Sequence, residues 1–287
     1  MADDPLDPRI TPARGDLAAS FLRGRVEADR FVDGESFMVA EPQAPLRREP
    51  YAMASLETEA LLGERVTVYE ANEEGWSWVQ LAADRYVGWM PSEALRPAGP
   101  APTHRVAALR TLSFPGPSIK MPPQRALQLG AAVAVVRQQD GFAVTDAGDF
   151  LPAQHLAAID RYESDFVGVA ERFAGAPYLW GGKTALGIDC SGLVAIALSA
   201  CGIGCPRDSD MQARAFGAQP AESHRALARG DLVFWKGHVA IVRDAATLLH
   251  ANAFHMAVVA EPLADALARI SAASGPFTVA RPVAETV

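Results

Sequence analysis

Three segments in the first third of the chain alternate between apolar and polar residues with a period of two, which is typical of strands with one buried face. Each is bounded by Gly, Asp or Asn, which favour turns. The segments are Glu64–Glu70, Gly75–Leu81 and Tyr86–Met90. The pattern predicts a small β-barrel over residues 45–96.

A weaker version of the same pattern follows the Pro-rich linker Arg96–Pro102. Its strand candidates are Ala132–Val136 and Phe142–Thr145. The two blocks have similar lengths, and each closes on a strand that runs into Met-Pro or Leu-Pro, so we interpret them as a divergent internal repeat. The second block therefore predicts another small barrel over residues 103–156.

Residues 1–44 are rich in Pro, Asp and Arg and contain one helix-like patch at 16–22. We interpret this region as an N-terminal arm in front of the first barrel.

The pattern becomes helical after Ser164, and an apolar helix is predicted from Cys190 to about Ala200, with Leu193, Ile196 and Ala197 facing inward. Beyond this helix the pattern returns to strands, at Asp231–Trp235, His238–Val242 and Thr247–His250. A helix packed on an antiparallel sheet predicts an α+β domain over residues 160–287.

Composition narrows the possible partners. A chain of 287 residues with 49% hydrophobic residues can bury a sizeable core in two or three domains. The net charge of −8, with no cluster of Lys and Arg, argues against a nucleic-acid partner. The longest apolar run is too short to cross a bilayer, so no membrane partner is expected. An acidic start without the pattern of a secretory signal, together with three cysteines at irregular spacing, predicts a cytoplasmic protein with free thiols.

Cys190 stands where a short loop leads into the predicted apolar helix. Backbone N–H groups in a first helical turn have no partners within the helix, so they stabilise a thiolate and bind an oxyanion beside it. Cys201 and Cys205 have no such setting. Cys190 is therefore the candidate nucleophile.

Two histidines are placed to serve this nucleophile as base and orienting residue. His238 opens one predicted strand and His250 closes the next, with a turn near Asp244. A hairpin centred on residue 244 would make them direct cross-strand partners, with Cβ atoms about 5 Å apart. This geometry predicts His238 as the base and His250 as the residue that orients its ring. Without Cys190, two unrelated buried histidines would be the favoured interpretation.

A zinc site is the competing interpretation, since Cys and His are also zinc ligands. Cys201 follows Cys190 by three helical turns, which puts the sulfurs on one face but roughly 16 Å apart. Cys190 with His238 and His250 supplies too few ligands for a closed structural site. We therefore expect no metal, and we interpret Cys201 and Cys205 as core and loop thiols.

Several motifs in a fixed order carry a resemblance to a known family. They are Tyr178–Gly182, Asp189–Val194, Pro206–Gln212, Arg229–Trp235, His238–Val242 and His250-Ala251. In this order they resemble the NlpC/P60 family of cell-wall peptidases, and the block from Gly63 to Trp89 resembles a bacterial SH3 domain. The expected fold is a papain-like NlpC/P60 catalytic domain preceded by two small SH3-like β-barrels.

The resemblance implies that peptidoglycan stem peptides are cleaved, commonly between D-glutamate and the following diamino acid. It implies that Cys190 is the nucleophile, His238 the base and His250 the third polar residue, with no metal or organic cofactor. Circularly permuted acyltransferase relatives place the histidine before the cysteine, so the order here favours the peptidase branch.

SH3-like domains combined with this catalytic domain are similar to a narrower group, the γ-D-glutamyl-L-diamino acid endopeptidases, which require a free N-terminal L-Ala. The substrate-binding positions of that group correspond to Tyr178, Asp189, Ser191 and Ser209. A carboxylate at Asp189 can pair with the ammonium of the free amino end. Acylated L-Ala in longer peptidoglycan would leave the carboxylate desolvated, so small murein peptides are the expected substrates.

In that group the first SH3-like domain also supplies a tyrosine and an acidic residue to the cleft. The resemblance assigns the tyrosine to Tyr86 and the acidic residue to Glu57 or Glu59.

Other interpretations stay open at three positions. Asp189 is also a favoured helix cap. Trp180 is as well explained by packing as by substrate contact. Arg207 and Asp208 are interpreted as a solvated ion pair.

The sequence thus predicts a cysteine endopeptidase of murein peptide recycling. One alternative is a non-catalytic module that binds the cell wall through its barrels, although intact Cys190, His238 and His250 count against it. Another is an acyltransferase that passes the thioester to an acceptor other than water.

Overall fold

The computed structural model describes residues 6–220 and 226–282, and the chain divides into two units, Met1–Ile159 and Asp160–Val287. No helix within the described ranges combines the length and the apolarity that crossing a membrane requires.

The first barrel of unit 1 is built on a seven-stranded sheet. Its strands, with the three that precede them, are β1 (Ala13–Arg14), β2 (Leu17–Ala19), β3 (Arg30–Val32), β4 (Glu35–Val39), β5 (Gln43–Arg47), β6 (Leu56–Leu61), β7 (Arg65–Ala71), β8 (Trp76–Leu81), β9 (Val87–Pro91) and β10 (Leu95–Pro97). The strand order is β10-β4-β7-β8-β9-β5-β6. Alternate residues such as Val66, Val79 and Met90 are buried in its core, which confirms the alternation predicted from the sequence.

The predicted arm extends too far along the chain. Strand β4 pairs with β7 and β10, so the sheet begins ten residues before the predicted boundary at 45. The helix-like patch at 16–22 is instead strand β2 followed by a single 3-10 turn, Ser20–Leu22. Arg14 lies over the rings of Trp78 and Trp89, at 4.5 and 4.9 Å from their centroids. The patch at 16–22 is too short for its hydrophobic periodicity to distinguish a strand from a helix.

The second barrel repeats the pairing of the first. Its strands are β11 (His104–Val106), β12 (Arg110–Ser113), β13 (Arg125–Gln128), β14 (Ala132–Val133), β15 (Val135–Gln139), β16 (Phe142–Thr145), β17 (Phe150–Pro152) and β18 (Leu156–Ala158). The closing strand β18 pairs with β11 as β10 pairs with β4, and each closing strand follows a 3-10 turn. The pairs β15–β16 and β16–β17 correspond to β7–β8 and β8–β9. This is the arrangement that a divergent repeat predicts.

In its described residues, 160–220 and 226–282, unit 2 combines four α-helices with a six-stranded sheet. Its elements are α1 (Phe166–Glu171), β19 (Lys183–Thr184), β20 (Gly187–Ile188), α2 (Cys190–Ala200), α3 (Ser209–Ala215), β21 (Gln219–Pro220), β22 (Leu232–Trp235), β23 (His238–Val242), β24 (Thr247–Asn252), β25 (Ala257–Pro262), α4 (Leu263–Ser274) and β26 (Thr278–Ala280). The sheet order is β21-β26-β22-β23-β24-β25. Helix α2 packs on β23 and β24, and α4 packs on β22, β24 and β25. The predicted α+β class is confirmed.

Helix α2 begins at Cys190 and buries Leu193, Ile196 and Ala197, as the sequence predicted. The strands expected around residues 231–250 are β22, β23 and β24. Helices α3 and α4 and strand β25 were not predicted from the sequence, and β25 and α4 contribute side chains to the candidate active site.

Candidate active site

The nucleophile helix begins at Cys190 because Asp189 caps it. The Asp189 carboxylate accepts the N–H of Gly192 at 2.7 Å, and its carbonyl accepts the N–H of Leu193 at 3.0 Å. The first of these bonds satisfies a donor that has no partner within the helix, and the second is the first i→i−4 bond of the helix. The capping role that the sequence left open for Asp189 is confirmed.

The turn that contains Gly181 and Gly182 lies directly against the start of this helix. A Cβ on Gly192 would stand 2.3 Å from the carbonyl oxygen of Gly182, closer than any real side chain approaches backbone. The Asp189 N–H donates to the same oxygen at 3.2 Å. The turn and the helix therefore fit together only if residue 192 has no side chain.

Asp189 also forms a buried ion pair with Arg207. Nη1 donates to Oδ1 at 2.9 Å and Nη2 donates to Oδ2 at 2.7 Å, and the Arg207 side chain is 1% exposed. The predicted solvated pair of Arg207 and Asp208 is wrong in this respect, because Arg207 is buried and bonded to the helix cap. The polar residues Asp208, Ser209 and Asp210 that follow Arg207 in the sequence give no sign of this distant partner.

Five hydrogen bonds converge on the Asp189 carboxylate, from Gly181 N–H, Gly192 N–H, the Ser191 hydroxyl and the two Arg207 nitrogens. A carboxylate offers about four lone-pair sites. This arrangement leaves no position for a substrate ammonium, so it does not support the ion pair that the resemblance predicted for Asp189.

Gln212 ties α3 to the same region. Its side-chain amide donates to the carbonyl oxygens of Ser191 at 3.0 Å and Pro206 at 2.9 Å, and the residue is fully buried. Ser209 is the first residue of α3 and is half-buried. The motif Pro206–Gln212 therefore positions the backbone next to the nucleophile.

The Cys190 thiol is protonated in the resting site. Burial, and then the charge of Asp189, raises its pKa to about 12, although the backbone N–H groups of Val239 and Ser191 and the charge of Arg207 oppose this rise. The raised pKa argues against the stabilised thiolate expected from the helix terminus, because desolvation outweighs the backbone N–H groups that favour the charged form. The contact with Val239 brings the sulfur to the beginning of β23, next to His238.

His238 and His250 are hydrogen-bonded, with Nε2 of His238 2.8 Å from Nδ1 of His250 and ring centroids 5.0 Å apart. The predicted register is wrong by two residues. Ile241 pairs with Leu249, so the hairpin is centred on residue 245 and His250 lies opposite Ala240. The two histidines share a face as diagonal neighbours, and imidazole rings are long enough to close that distance.

Glu261, which was not predicted as a site residue from the sequence, extends the pair of histidines. Its Oε1 lies 2.6 Å from Nε2 of His250, and Arg269 on α4 donates to the same oxygen. Because Val259 pairs with His250, Glu261 lies two residues further along β25 on the same face. A hairpin turn placed at residues 253–256 would have pointed to this glutamate.

Both histidines are neutral at rest. Burial, followed by the charges of His250 and Arg269, lowers the pKa of His238 to about 3, although Glu261 opposes the shift. Burial also lowers the pKa of His250, against its hydrogen bond with Glu261. A buried thiol beside a neutral imidazole can transfer its proton as it attacks, which is general-base chemistry.

Tyr178 lies near the nucleophile. Burial, and then the charges that Cys190 and Asp189 carry when ionised, raises the pKa of Tyr178 to about 12, so its hydroxyl remains a hydrogen-bond donor. The backbone N–H of Tyr178 donates to the Met256 carbonyl oxygen at 3.0 Å. Trp180 is 67% exposed, which does not fit a packing role.

Tyr86 belongs to unit 1, where it is buried in the core of the first barrel. Its hydroxyl reaches Glu57 at 3.5 Å, and Glu57 also pairs with Arg48. Glu59 is buried and accepts a hydrogen bond from Gln43. Of the two acidic candidates, Glu57 is the one joined to Tyr86, and their substrate roles stay predictions.

No group of three or more His, Cys, Asp or Glu side chains within residues 6–220 and 226–282 is arranged to hold a metal ion. Cys201 and Cys205 are half-buried and form no disulfide bond.

Two family models match the chain. The model of the bacterial dipeptidyl-peptidase Sh3 domain matches residues 46–95, and the model of the NlpC/P60 family matches residues 175–269. The second match includes Cys190, His238, His250 and Glu261.

Similar proteins come from several bacteria. A γ-D-glutamyl-L-lysine dipeptidyl-peptidase of Bacillus cereus is 27% identical over 242 residues, which cover 72% of this chain and 71% of that protein. The protein of the same name from Bacillus subtilis is 27% identical, with coverage of 68% and 72%. Dipeptidyl-peptidase 6 of Lysinibacillus sphaericus is 34% identical over 100 residues, which cover 35% of this chain and 36% of that protein.

Solved structures share the fold. A crystal structure of an NlpC/P60 family protein from Bacillus cereus superimposes with a TM-score of 0.71 and 21% identity, over 86% of this chain and 99% of that chain. An NlpC/P60 endopeptidase from Photobacterium damselae superimposes with a TM-score of 0.63 and 14% identity, over 87% and 73%.

Proposed function

We infer the reaction of this chain from its membership of the NlpC/P60 family of cysteine peptidases, in which it carries a bacterial SH3 domain ahead of the catalytic domain. It is a cell-wall peptidase. The finer proposal is that it hydrolyses the bond between γ-D-glutamate and the L-diamino acid of peptidoglycan stem peptides. The relatives of similar length are named for cleavage of the γ-D-glutamyl-L-lysine bond.

One observation carries the proposal. Cys190 lies at a capped helix start in contact with the strand that opens with His238, and His238 is hydrogen-bonded to His250. This set supplies a nucleophile, a base and a residue that orients the base.

The proposed reaction begins with transfer of the Cys190 proton to Nδ1 of His238 as the sulfur attacks the γ-carbonyl carbon. His238 then gives this proton to the departing amine, and the C–N bond breaks to leave a thioester. Water attacks the thioester, His238 accepts a proton from it, and the C–S bond breaks. Return of the proton to the sulfur restores the resting site.

The first turn of α2 supplies the proposed oxyanion site. The N–H groups of Gly192 and Leu193 are bonded to Asp189, so we assign this task to the earlier N–H groups of Cys190 and Ser191.

We propose that the substrate carries a free N-terminal L-Ala. The matching relatives are named dipeptidyl-peptidases, a term for enzymes that release two residues from a free amino end. Tyr178, Ser191 and Ser209 are the proposed binding residues on unit 2. Asp189 would act indirectly, by holding the backbone of the Gly181 turn.

We further propose that the protein recycles murein peptides in the cytoplasm, a location supported by three cysteines that form no disulfide bond. Fractionation of cells tests this location. Recovery of the protein mainly from the wall or the medium would contradict it.

The deciding experiment compares stem peptides that differ only in the L-Ala amine. The purified chain is incubated with L-Ala-γ-D-Glu-diaminopimelate, with L-Ala-γ-D-Glu-L-Lys and with the N-acetylated form of each. We expect mass spectrometry to find the dipeptide L-Ala-D-Glu from the free peptides only, with a loss of at least about 100-fold on acetylation.

Each other outcome has a defined meaning. Equal cleavage of free and acetylated peptides would refute the amine requirement alone. Turnover by Cys190→Ala would refute the cysteine mechanism. Conversion to an amide of an added amine would indicate an acyltransferase, and binding to insoluble murein without cleavage would indicate a wall-binding module.

A further inference from the structure

We propose that Glu261, held by Arg269, is a positioning residue that fixes the tautomer of His250 and so keeps His238 in the form that can act as base. This inference deepens the proposed function and rests on His238 being the base for Cys190. No resemblance or match assigns a role to either Glu261 or Arg269.

Three neighbouring strands bring the groups into one line. His238 on β23, His250 on β24 and Glu261 on β25 share a face, and each lies diagonally from the next. Nε2 of His238 is 2.8 Å from Nδ1 of His250, and Nε2 of His250 is 2.6 Å from Oε1 of Glu261. These are the distances of ordinary to short hydrogen bonds.

The direction of the hydrogen bonds follows from donor and acceptor capacity. An ionised carboxylate only accepts, so the proton of neutral His250 must be on Nε2. Nδ1 of His250 is then an acceptor, and Nε2 of His238 must donate to it. Neutral His238 carries no second proton, so its Nδ1 has a free lone pair. Glu261 thus leaves one tautomer available to each ring, and this tautomer has a base at Nδ1 of His238.

Arg269 and its neighbours keep Glu261 ionised and in place. Burial alone would raise the pKa of the Glu261 carboxyl, but the hydrogen bonds from Arg269 and His250 outweigh burial and hold the pKa below its usual value. The Arg269 guanidinium also lies over the Phe254 ring, 4.3 Å from its centroid. The Glu261 side chain is 11% exposed, so little water competes for its oxygens.

The two charged residues affect the base in opposite directions. The charged or titratable groups that act on His238 are His250, Glu261 and Arg269, and the Cys190 sulfur contacts the neighbouring residue Val239. The charge of Glu261 raises the pKa of His238, whereas the charges of His250 and Arg269 lower it. If the two residues act through the pKa of His238, substitutions of Glu261 and of Arg269 should change the pH profile of the reaction differently. If they only pack against the site, neither substitution should change the profile.

The kinetic test uses Glu261→Gln, Glu261→Asp and Arg269→Gln in the full chain. We expect Glu261→Gln to lower kcat by about 100-fold with KM within about twofold, since an amide can donate to His250 and stabilise the wrong tautomer. Glu261→Asp keeps the charge and should lose about 10-fold or less. Arg269→Gln should move the acid limb of kcat/KM to higher pH, and Glu261→Gln should not.

Glu171→Gln is the matched control, because Glu171 in the same unit forms comparable ion pairs with Arg243 and Arg229. It should leave kcat within about twofold and the pH profile unchanged. A kcat for Glu261→Gln within twofold of the starting protein would overturn the proposal.

The spectroscopic test reads the tautomer without turnover. In ¹⁵N-labelled Cys190→Ala, long-range ¹H–¹⁵N correlations distinguish a protonated ring nitrogen from a bare one. We expect His250 to be protonated at Nε2, and Glu261→Gln in this background to populate the Nδ1–H form. Protonation of His250 at Nδ1 in the parent, or an unchanged tautomer after Glu261→Gln, would overturn the inference.

The two proposals can fail separately. If Cys190→Ala still turns over peptide, the proposed function fails while the tautomer remains measurable. If turnover depends on Cys190 but is indifferent to Glu261, this inference alone fails.

Discussion

The two halves of the active site each rest on an arginine–carboxylate pair, but the pairs do different things. In the nucleophile half, defined as Asp189, Cys190, Ser191 and Arg207, the carboxylate binds backbone N–H groups of the turn and the helix start. In the histidine half, defined as His238, His250, Glu261 and Arg269, the carboxylate binds a ring nitrogen. The same two chemical groups, a guanidinium and a carboxylate, thus hold the backbone in place in one half and fix the position of a ring proton in the other.

Burial explains the difference. The arginine side chain is 1% exposed in the nucleophile half and 31% exposed in the histidine half. When one member of a fully buried ion pair is removed, the other is left as a buried charge without a partner. When the pair is partly exposed, water can solvate the remaining charge. We therefore expect the nucleophile half to govern stability and the histidine half to govern the response to pH.

Loss of either half should abolish turnover, which is the largest effect expected. Cys190→Ala and His238→Ala should each lower kcat by at least about 10⁴-fold, because one proton transfer requires both groups. The double variant should be no worse than the more severe single variant. Steady-state assays on the free stem peptide measure this, and losses that multiply would mean that the halves act independently.

Removal of the two arginines should separate their contributions to stability. Arg207→Leu should reduce the free energy of unfolding by about 3–5 kcal/mol, because it leaves the Asp189 carboxylate buried without its countercharge. Arg269→Leu should cost about 1 kcal/mol or less. Urea denaturation followed by fluorescence measures both values. Equal losses would contradict the contrast drawn from burial.

Acid should destabilise the protein through the histidine half. The pKa values of His238 and His250 are lowered in the folded state, so below about pH 6.5 the unfolded chain binds protons that the folded chain excludes. Stability should fall by up to about 1.4 kcal/mol per pH unit for each histidine as the pH drops from 6.5 towards the folded values. Denaturation at several pH values should show a shallower slope for His238→Gln. The same slope in His238→Gln as in the starting protein would contradict this assignment.

The smallest contrast concerns single contacts at the edge of each half. Ser191→Ala removes hydrogen bonds with Asp189 and Arg207 and should cost about 1–2 kcal/mol. Phe254→Ala removes the ring beneath Arg269 and should cost about 0.5 kcal/mol, because the ring is 70% exposed. Thermal melts of the two variants check this order. A larger loss from Phe254→Ala would reverse it.

The predictable features were the local ones. The start of α2 at Cys190 and strands β7, β8 and β9 of the first barrel follow from patterns that fit within a few residues. The shared face of His238 and His250 also follows from alternation, but their exact pairing depends on the turn, and an error of one residue at its centre moved the partner by two.

The features that the sequence did not predict depend on contacts across the fold. Arg207 reads as a surface residue beside Asp208, and only the docking of α3 shows that it pairs with Asp189. Glu261 lies near the end of strand β25 and Arg269 lies on helix α4, and neither element was predicted from the sequence. Strand β4 was not predicted because it lies in a region rich in Pro, Asp and Arg, a composition that resembles that of a terminal tail.

The meander of β23, β24 and β25 has a further consequence for how this site can be inherited and assembled. His238, His250 and Glu261 lie on one uninterrupted stretch of chain joined by short turns, whereas Cys190 comes from a separate segment. Antiparallel neighbours with short connections form quickly and early in folding. With Arg269 on the helix α4 that follows β25, the whole histidine half lies within residues 238–269. A gene rearrangement that breaks the chain outside these residues would keep the four side chains on one segment.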